Sequence, residues 1–276
     1  MIKSKFIQSG KIRTHYLEDG IGKEMILLHG GRAGVPTSCH DWDLNISQLA
    51  KQFHVYALDQ WGFGLTDKPP TNFSYEARIN HVVQFMNEVG IREAHLVGHS
   101  LGGYVAAKMT IEYSKMVRSL VIVDSASVAP LGNVDDYGRL APSIGRSQSF
   151  DPSKGKDFIR EILSGGIYDK NRITEEMVDR WYKEYCEYPQ LSKTAINQME
   201  NTEPLTDKLK EINRPTLIIW PKQSGGTFLF RGIKLAEIIP GSQIHILDKA
   251  AHFAFIDQPY AFNRLLIAFC GKRQIR

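Results

Sequence analysis

Short apolar runs recur along the chain and alternate with segments of helical periodicity. Because the runs are rich in Val, Ile and Leu and are apolar on both faces, they predict strands buried between helix layers. The predicted strands are Met25–His29, His54–Leu58, Ala94–Gly98, Ser119–Asp124, Pro215–Trp220 and Gln243–Leu247. Strands that alternate with helices are typical of βαβ units. The pattern therefore predicts an α/β fold with a mostly parallel central sheet flanked by helices.

Helical periodicity predicts helices over Tyr75–Glu88 and Leu101–Tyr113. Near the end of the chain, four apolar residues recur at helical spacing: Phe262, Leu265, Leu266 and Phe269. Spacings of three and four place such residues on one face of a helix, against a core.

The alternation stops between about residues 128 and 214, where three aromatic and charged segments have helical patterns: Lys156–Leu163, Thr174–Tyr188 and Gln190–Met199. A loop of this length is uncommon inside a compact domain, so we expect a helical insertion. An insertion at the carboxyl end of a parallel strand lies over the ligand crevice of an open α/β sheet. We expect residues 1–128 and 214–276 to form the two parts of the core, and residues 129–213 to form a helical cap after the sixth strand.

Composition limits the classes of function. The net charge is +4, from 34 basic and 30 acidic residues, and the sequence has no basic block beyond the short tail GKRQIR. We therefore expect no nucleic-acid partner. No segment approaches the ~18 consecutive apolar residues of a membrane span. The amino end also lacks the apolar run of a secretion signal, so we expect no membrane partner.

The three cysteines are Cys39, Cys186 and Cys270, and they form no CxxC pair. This odd, dispersed set argues against a disulfide framework and fits a reducing, cytoplasmic location. The histidines also lack ligand spacing such as HxxxH, so we expect neither a metal site nor a cofactor.

The segment Gly98-His99-Ser100-Leu101-Gly102 carries the strongest chemical signal. It is a G-x-S-x-G motif between a predicted strand and a predicted helix, where a strained turn lifts the serine Oγ above the sheet. The helix amino terminus adds free N–H donors and positive potential. The motif predicts Ser100 as a nucleophile; the alternative is a structural serine in a glycine-rich turn.

The segment His29-Gly30-Gly31 ends an earlier predicted strand. Acyl transfer needs two N–H donors aimed at the oxygen that becomes negative. The residue after the nucleophile, Leu101, supplies one, and a glycine loop after the third strand supplies the other. We expect the second donor to be the N–H of Gly31.

His252 is the candidate general base, because it follows the last predicted strand and precedes the final helix. In this kind of site the order along the chain is serine, acid, histidine.

These motifs resemble the α/β-hydrolase superfamily over essentially the whole chain. More narrowly, the chain resembles the meta-cleavage product hydrolases, which cut a carbon–carbon bond in 2-hydroxy-6-oxo-dienoates during aromatic degradation. The matching pieces are HGGRAG at 29–34, the serine motif, DRW at 179–181 and FNRL at 262–265. The resemblance implies that Arg180 of the cap binds the dienoate carboxylate, for which a planar guanidinium is well suited. The alternative is a salt bridge from Arg180 to Glu176 or Glu184.

Three positions depart from the family pattern. His99 replaces an asparagine, Arg32 replaces the third glycine of the HGGG loop, and Phe253 replaces a tryptophan. The resemblance implies that these three residues and Trp181 contact the substrate.

The usual acid of the family is also absent. In the family an aspartate follows the seventh strand in a W-G-x-x-D phrase, but here Ser224 occupies that position. Asp124, at the end of the neighbouring strand, is the expected substitute, because some relatives of the fold, such as haloalkane dehalogenases, resemble this arrangement. Asp248 is a weaker candidate, and the non-catalytic interpretation of Asp124 is a turn cap.

The sequence therefore predicts a serine hydrolase acting on a small molecule, with Ser100, His252 and Asp124 as catalytic residues and the resemblance favouring C–C cleavage. One alternative is a carboxylesterase or lactonase. Another is a non-hydrolytic member, either ligand-binding or a cofactor-independent oxygenase. The oligomeric state stays open, a homodimer included.

Overall fold

The computed structural model describes residues 1–31, 36–68, 74–128, 155–187, 204–225 and 228–271. Eight strands form one sheet in the order β1-β2-β4-β3-β5-β6-β7-β8. Their bounds are β1 Lys3–Ser9, β2 Ile12–Asp19, β3 Lys23–Leu28, β4 Phe53–Leu58, β5 Ala94–His99, β6 Val117–Val123, β7 Thr216–Pro221 and β8 Gln243–Leu247. The α-helices of the described residues are α1 Asp43–Leu49, α2 Tyr75–Glu88, α3 Leu101–Glu112, α4 Gly155–Gly166, α5 Glu175–Glu187, α6 Leu229–Ile238, α7 Ala254–Asp257 and α8 Pro259–Cys270.

The predicted mostly parallel sheet flanked by helices is confirmed. Strands β3 to β8 pair in parallel, and all six predicted strands are present with ends within two residues of those expected. The antiparallel strands β1 and β2 were not predicted. Strand β1, at the sheet edge, is mostly exposed, and the buried centre of β2 includes the polar residues Thr14 and His15, so neither strand has the continuous apolar run on which the prediction relied.

The sheet separates two apolar layers. On one side, α2 and α3 pack against the sheet through residues such as Phe85 and Met109. On the other side, α1 and α8 contribute Ile46 and Phe262. Because both faces are covered, the central parallel strands β3 to β7 are buried along most of their length, whereas β8, at the edge of the sheet, is mostly exposed.

The helices α4 and α5 lie between β6 and β7 in the chain, inside the predicted cap. Their buried side chains belong to the same apolar cluster as α1 and α8. The link to the core includes polar contacts: Phe253 N–H donates to the Gly166 carbonyl (2.9 Å), and Tyr168 N–H donates to the Asp257 carboxylate (3.0 Å). The third predicted cap helix, Gln190–Met199, lies outside the described residues, and the cap boundaries stay a prediction.

None of the helices in the described ranges is both long enough and apolar enough to cross a membrane.

Candidate active site

Ser100 lies between β5 and α3 in a strained backbone conformation, with φ 52° and ψ −121°. The turn is tight enough to require glycine beside it, because a Cβ on Gly98 would lie 2.3 Å from the Gly102 carbonyl oxygen. Neighbouring strand β6 holds the turn, since Ser100 N–H donates to the Val123 carbonyl at 2.9 Å. The predicted serine turn is therefore present, and strain of this kind is common at functional sites.

The Gly30-Gly31 loop lies against this turn. A Cβ on Gly30 would lie 3.0 Å from Ser100 Cβ, and one on Gly31, at φ +108°, would lie 2.5 Å from Thr37 Oγ1. Only glycine avoids these contacts at the observed backbone positions. Leu101 heads α3, and the first N–H groups of a helix have no partners within the helix. The structure thus places Leu101 and the loop that carries Gly31 beside Ser100, and the oxyanion role of their N–H groups stays a prediction.

A buried histidine fixes the start of the loop. His29 Nε2 accepts the Gln60 N–H at 3.0 Å, which leaves the proton on Nδ1 to donate to the Gly30 carbonyl at 2.8 Å. Burial lowers the pKa of His29 to about 4, so the ring is neutral and the hydrogen-bond pattern is fixed.

His252 lies after β8, and its Nδ1 is 2.6 Å from Asp124 Oδ2. Asp124 directly follows β6 and is completely buried, whereas the His252 side chain is 29% exposed. A buried carboxylate that accepts from an imidazole is the arrangement by which an acid orients a catalytic histidine. The structure therefore brings together the histidine and the acid that the sequence paired across 128 residues.

Ser224, in the position of the usual family acid, contacts the same carboxylate. Its Oγ is buried and donates to Asp124 Oδ2 at 2.7 Å. The weaker candidate acid, Asp248, is excluded by its position: its exposed carboxylate accepts from the Gln223 side chain (2.8 Å) and lies 3.5 Å from Lys222 Nζ. The hydroxyl at the position of the usual acid therefore bonds to the substitute acid.

His99 positions the loop that carries His252. His99 Nε2 donates to the His252 carbonyl at 2.9 Å, and the two ring centroids are 4.5 Å apart. Burial, with the nearby His252 charge, lowers the pKa of His99 well below its ordinary value. His99 is therefore neutral. Its hydrogen bond positions the backbone of His252, and the contact between His99 and the substrate stays a prediction.

Among the described residues, no hydrogen bond joins Ser100 Oγ to the His252 ring. Nevertheless, His99 directly precedes Ser100, so its hydrogen bond to the His252 carbonyl holds the His252 loop against the serine turn. In sites without substrate, catalytic hydrogen bonds are often long or poorly aligned and tighten in the complex.

Phe253, whose ring centroid is 5.4 Å from that of His252, connects the catalytic histidine to the cap. Phe253 packs against the buried Trp181 of α5 with ring centroids 5.7 Å apart, and against His99 at 5.2 Å. These contacts join the cap to the catalytic loop through apolar surface. Arg32 lies outside the described residues.

Arg180 binds a different partner from the two considered in the sequence. Its Nη1 lies 3.4 Å from Asp43 Oδ2 at the start of α1, and neither Glu176 nor Glu184 forms that ion pair. Asp41 and Glu184 also interact electrostatically with the guanidinium. Burial raises the pKa of both of these carboxyl groups, so the ion-pair partner of Arg180 is Asp43 of the core.

Sequence analysis did not single out Arg78, on α2, which is only 1% exposed and contacts the Gly31 carbonyl. A signal was available: Arg78 lies three residues after Tyr75 and four before Val82, on the buried stripe of the helix.

Buried donor atoms of His15, Cys39 and Asp59 lie within 4.8 Å of one another, a set that could hold a metal ion. Their atoms are paired within the protein, however: His15 Nδ1 is 2.7 Å from Asp59 Oδ2, and Cys39 N–H donates to Asp59 Oδ1 at 2.6 Å. The cluster fits a structural hydrogen-bond network that fixes the turn after β4, and the predicted absence of a metal stays a prediction.

Comparison with known proteins places these features in a family. The alpha/beta hydrolase fold family matches residues 24–259. The 2-hydroxy-6-oxo-6-(2'-aminophenyl)hexa-2,4-dienoic acid hydrolase of Metapseudomonas resinovorans is 26% identical over 98% of this chain and 91% of its own length. The 2-hydroxymuconate semialdehyde hydrolase of Pseudomonas sp. strain CF600 is 24% identical over 95% of this chain and 91% of its own length.

Among solved structures, the meta-cleavage product hydrolase CumD from Pseudomonas fluorescens IP01, complexed with acetates, superposes with a TM-score of 0.81 and 27% identity over 97% of both chains. The family match spans most of the chain, including the serine turn and the His252 loop. The chain therefore belongs to the alpha/beta hydrolase fold family.

Proposed function

We propose that this chain is a serine hydrolase that cleaves a carbon–carbon bond in a 2-hydroxy-6-oxo-dienoate, a product of aromatic ring meta-cleavage. The hydrogen bond between His252 Nδ1 and Asp124 Oδ2, beside a serine held in a strained turn, carries the proposal. The two relatives described above are named as hydrolases of substrates of this class, which supports the choice of substrate.

In the proposed reaction, Ser100 Oγ adds to the carbon of the 6-oxo group while His252 accepts the serine proton. Asp124 stabilises the resulting imidazolium, because its anionic oxygen accepts from Nδ1. The N–H groups of Gly31 and Leu101 donate to the oxygen that becomes negative.

Breaking the carbon–carbon bond requires a carbon leaving group that can hold an electron pair. In the keto tautomer of the substrate, a proton has moved from the 2-hydroxyl group to carbon 5, and the departing fragment leaves as a conjugated enolate. The His252 imidazolium then returns a proton to that fragment. Water attacks the acyl-serine with His252 as base, which releases the acid product and restores Ser100.

The test is turnover of 2-hydroxy-6-oxo-6-phenylhexa-2,4-dienoate, followed by loss of its visible absorbance and identification of benzoate. We expect wild type to release benzoate and Ser100→Ala to lose at least about 10³-fold in kcat. A nitrophenyl ester serves as the comparison substrate. Ester hydrolysis without any dienoate cleavage would favour the esterase alternative, and full dienoate turnover by Ser100→Ala would contradict the serine mechanism.

A further inference from the structure

Arg78 presents a buried cation beside the candidate oxyanion loop. It lies in the first turn of α2 and is 1% exposed. Its Nη1 donates a long hydrogen bond of 3.4 Å to the carbonyl of Gly31, the residue whose N–H is the candidate oxyanion donor. The guanidinium therefore contacts the candidate oxyanion loop and has no hydrogen bond to the predicted catalytic residues among the described contacts.

The remaining contacts of the guanidinium are with aromatic rings. The Cζ atom lies 4.8 Å from the centroid of Phe63 and 5.5 Å from that of Tyr75. Nε and Nη2 are buried and have no hydrogen-bond partner. Among the described residues, no carboxylate forms an ion pair with Arg78, and the dominant influence on its pKa is burial, which lowers it.

This combination is physically unfavourable in the free protein. A guanidinium stays charged in proteins. Burial removes its hydration, and a buried charge normally requires an anionic partner. Ring faces attract the cation, but they do not satisfy its N–H donors.

The two unsatisfied atoms are also the geometrically informative ones. Nε and Nη2 direct their N–H bonds along the same edge of the planar guanidinium. Two parallel N–H donors on one edge match the two oxygens of a carboxylate. The free edge of Arg78 therefore has the shape and charge of a carboxylate site.

Arg180 makes an instructive contrast. Its side chain is 22% exposed and its guanidinium is already paired with Asp43. A substrate carboxylate at Arg180 would have to compete with this acidic group, whereas at Arg78 it would supply the missing partner.

We propose that Arg78 binds the carboxylate of an acidic substrate through its Nε–Nη2 edge, next to the Gly31 oxyanion donor. The inference rests on the proposed function for the location of the reacting carbonyl, and it assigns substrate recognition to α2 of the core. The ligand class is an organic carboxylate small enough to span from the oxyanion loop to α2.

The first experiment measures kcat/KM for the phenyl dienoate and for a neutral nitrophenyl ester in wild type, Arg78→Met, Arg78→Lys and Arg180→Met. We expect the acid-to-ester ratio to fall roughly 10- to 100-fold in both Arg78 variants, mainly through KM for the acid, because a charge-assisted pair is lost. Lysine keeps the charge but lacks the two-donor edge, so the acid-to-ester ratio of Arg78→Lys should lie between those of Arg78→Met and wild type. Arg264→Met, at an exposed position of α8, is the matched control and keeps the wild-type ratio.

The second experiment measures thermal unfolding with and without benzoate, and it needs no turnover. We expect benzoate to raise the Tm of wild type and of Arg264→Met but not of the Arg78 variants. Without ligand, Arg78→Met should unfold at the wild-type temperature or above it, because the removed charge has no acidic partner. A lower Tm for Arg78→Met together with a retained benzoate shift in Arg78→Lys would show a structural role and overturn the proposal.

The outcomes separate this inference from the proposed function. If the dienoate is cleaved but only Arg180→Met lowers the acid-to-ester ratio, the Arg78 site is wrong and the function stands. If the dienoate is not cleaved but the benzoate shift depends on Arg78, the carboxylate site stands and the proposed function is wrong.

Discussion

Ser224 Oγ donates a 2.7 Å hydrogen bond to Asp124 Oδ2, the oxygen that also lies 2.6 Å from His252 Nδ1. Asp124 follows β6 and Ser224 follows the adjacent parallel strand β7, so the two side chains meet at the same edge of the sheet. The carboxylate has therefore moved by one strand relative to the family pattern, and a hydroxyl at the former position holds it. Two donors on one oxygen fix the carboxylate where the imidazole needs it.

Asp124→Asn should lower kcat by about 10⁴-fold, because a neutral amide cannot stabilise the imidazolium and favours the wrong tautomer of His252. The measurement is the rate of Ser100 labelling by a fluorophosphonate, together with dienoate turnover. Asp248→Asn is the matched control, because that carboxylate is exposed and bonds only to surface groups in the described structure. Equal labelling of wild type and Asp124→Asn would contradict the role of Asp124.

Adding Ser224→Asp to Asp124→Asn should restore a large part of the lost activity. The new carboxylate would occupy the family position, next to the residue that touches His252. In the wild-type background the same substitution should instead lower activity, since two buried carboxylates in contact cannot both ionise. The measurement is kcat for the four combinations. If the double variant loses as much activity as the two single variants combined, a carboxylate at position 224 cannot orient His252.

The sequence predicted the parallel core well because each buried strand is a continuous apolar run between turn residues. The helix prediction Tyr75–Glu88 is confirmed at both ends. At the amino end, the Ser74 side chain caps the first turn by accepting the Ala77 N–H. The strand prediction failed for β1 and β2, because β1 is mostly exposed at the sheet edge and both strands carry charged or polar residues that interrupt the apolar pattern.

Local spacing was least informative for long-range charge pairs. Spacing along α5 suggested Glu176 and Glu184 as partners of Arg180, but the observed partner, Asp43, is 137 residues away in the chain. Helical spacing shows which side chains share a face, whereas packing of the cap on α1 decides what that face meets. The contact between Arg78 and Gly31 was not predicted for the same reason, because the two residues are 47 positions apart in the sequence.

The stability of the protein should fall as the pH rises from 5 to 8 because of Glu184 in the cap. Burial, with the nearby Asp59 charge, raises the pKa of Glu184 to about 7, and the Arg180 charge offsets only part of this. The unfolded chain releases this proton near pH 4.5, so between about pH 4.5 and 7 the folded state binds more protons. The resulting stability is complete below pH 4.5 and is lost as the pH rises through 7.

Glu184→Gln isolates this effect, because a neutral amide has no proton to release. The free energy of unfolding, from urea titrations at pH 5, 6, 7 and 8, should fall more steeply with pH in wild type. The difference between the two proteins should change by at most about 3 kcal/mol over this range. Parallel pH profiles would mean that Glu184 is ionised in the folded state throughout.

Gly31→Ala should disable catalysis while leaving the sheet folded. At φ +108°, an added Cβ would lie 2.5 Å from Thr37 Oγ1 and 2.7 Å from Phe63 Cε1, so the loop must shift. A shift moves the N–H that is aimed at the developing oxyanion, and loss of one such donor costs about 10²- to 10³-fold in kcat.

Gly90→Ala is the matched control for this prediction. Gly90 also has a positive φ, +76°, but a Cβ there meets nothing within 4 Å and the residue follows α2 on the surface. It should lose about 1 kcal/mol of stability from backbone strain and retain wild-type kcat. The measurement is kcat together with urea unfolding for both variants. If Gly31→Ala loses only as much stability as Gly90→Ala and keeps its kcat, the N–H of Gly31 is not an oxyanion donor, and the second donor must come from another part of the site.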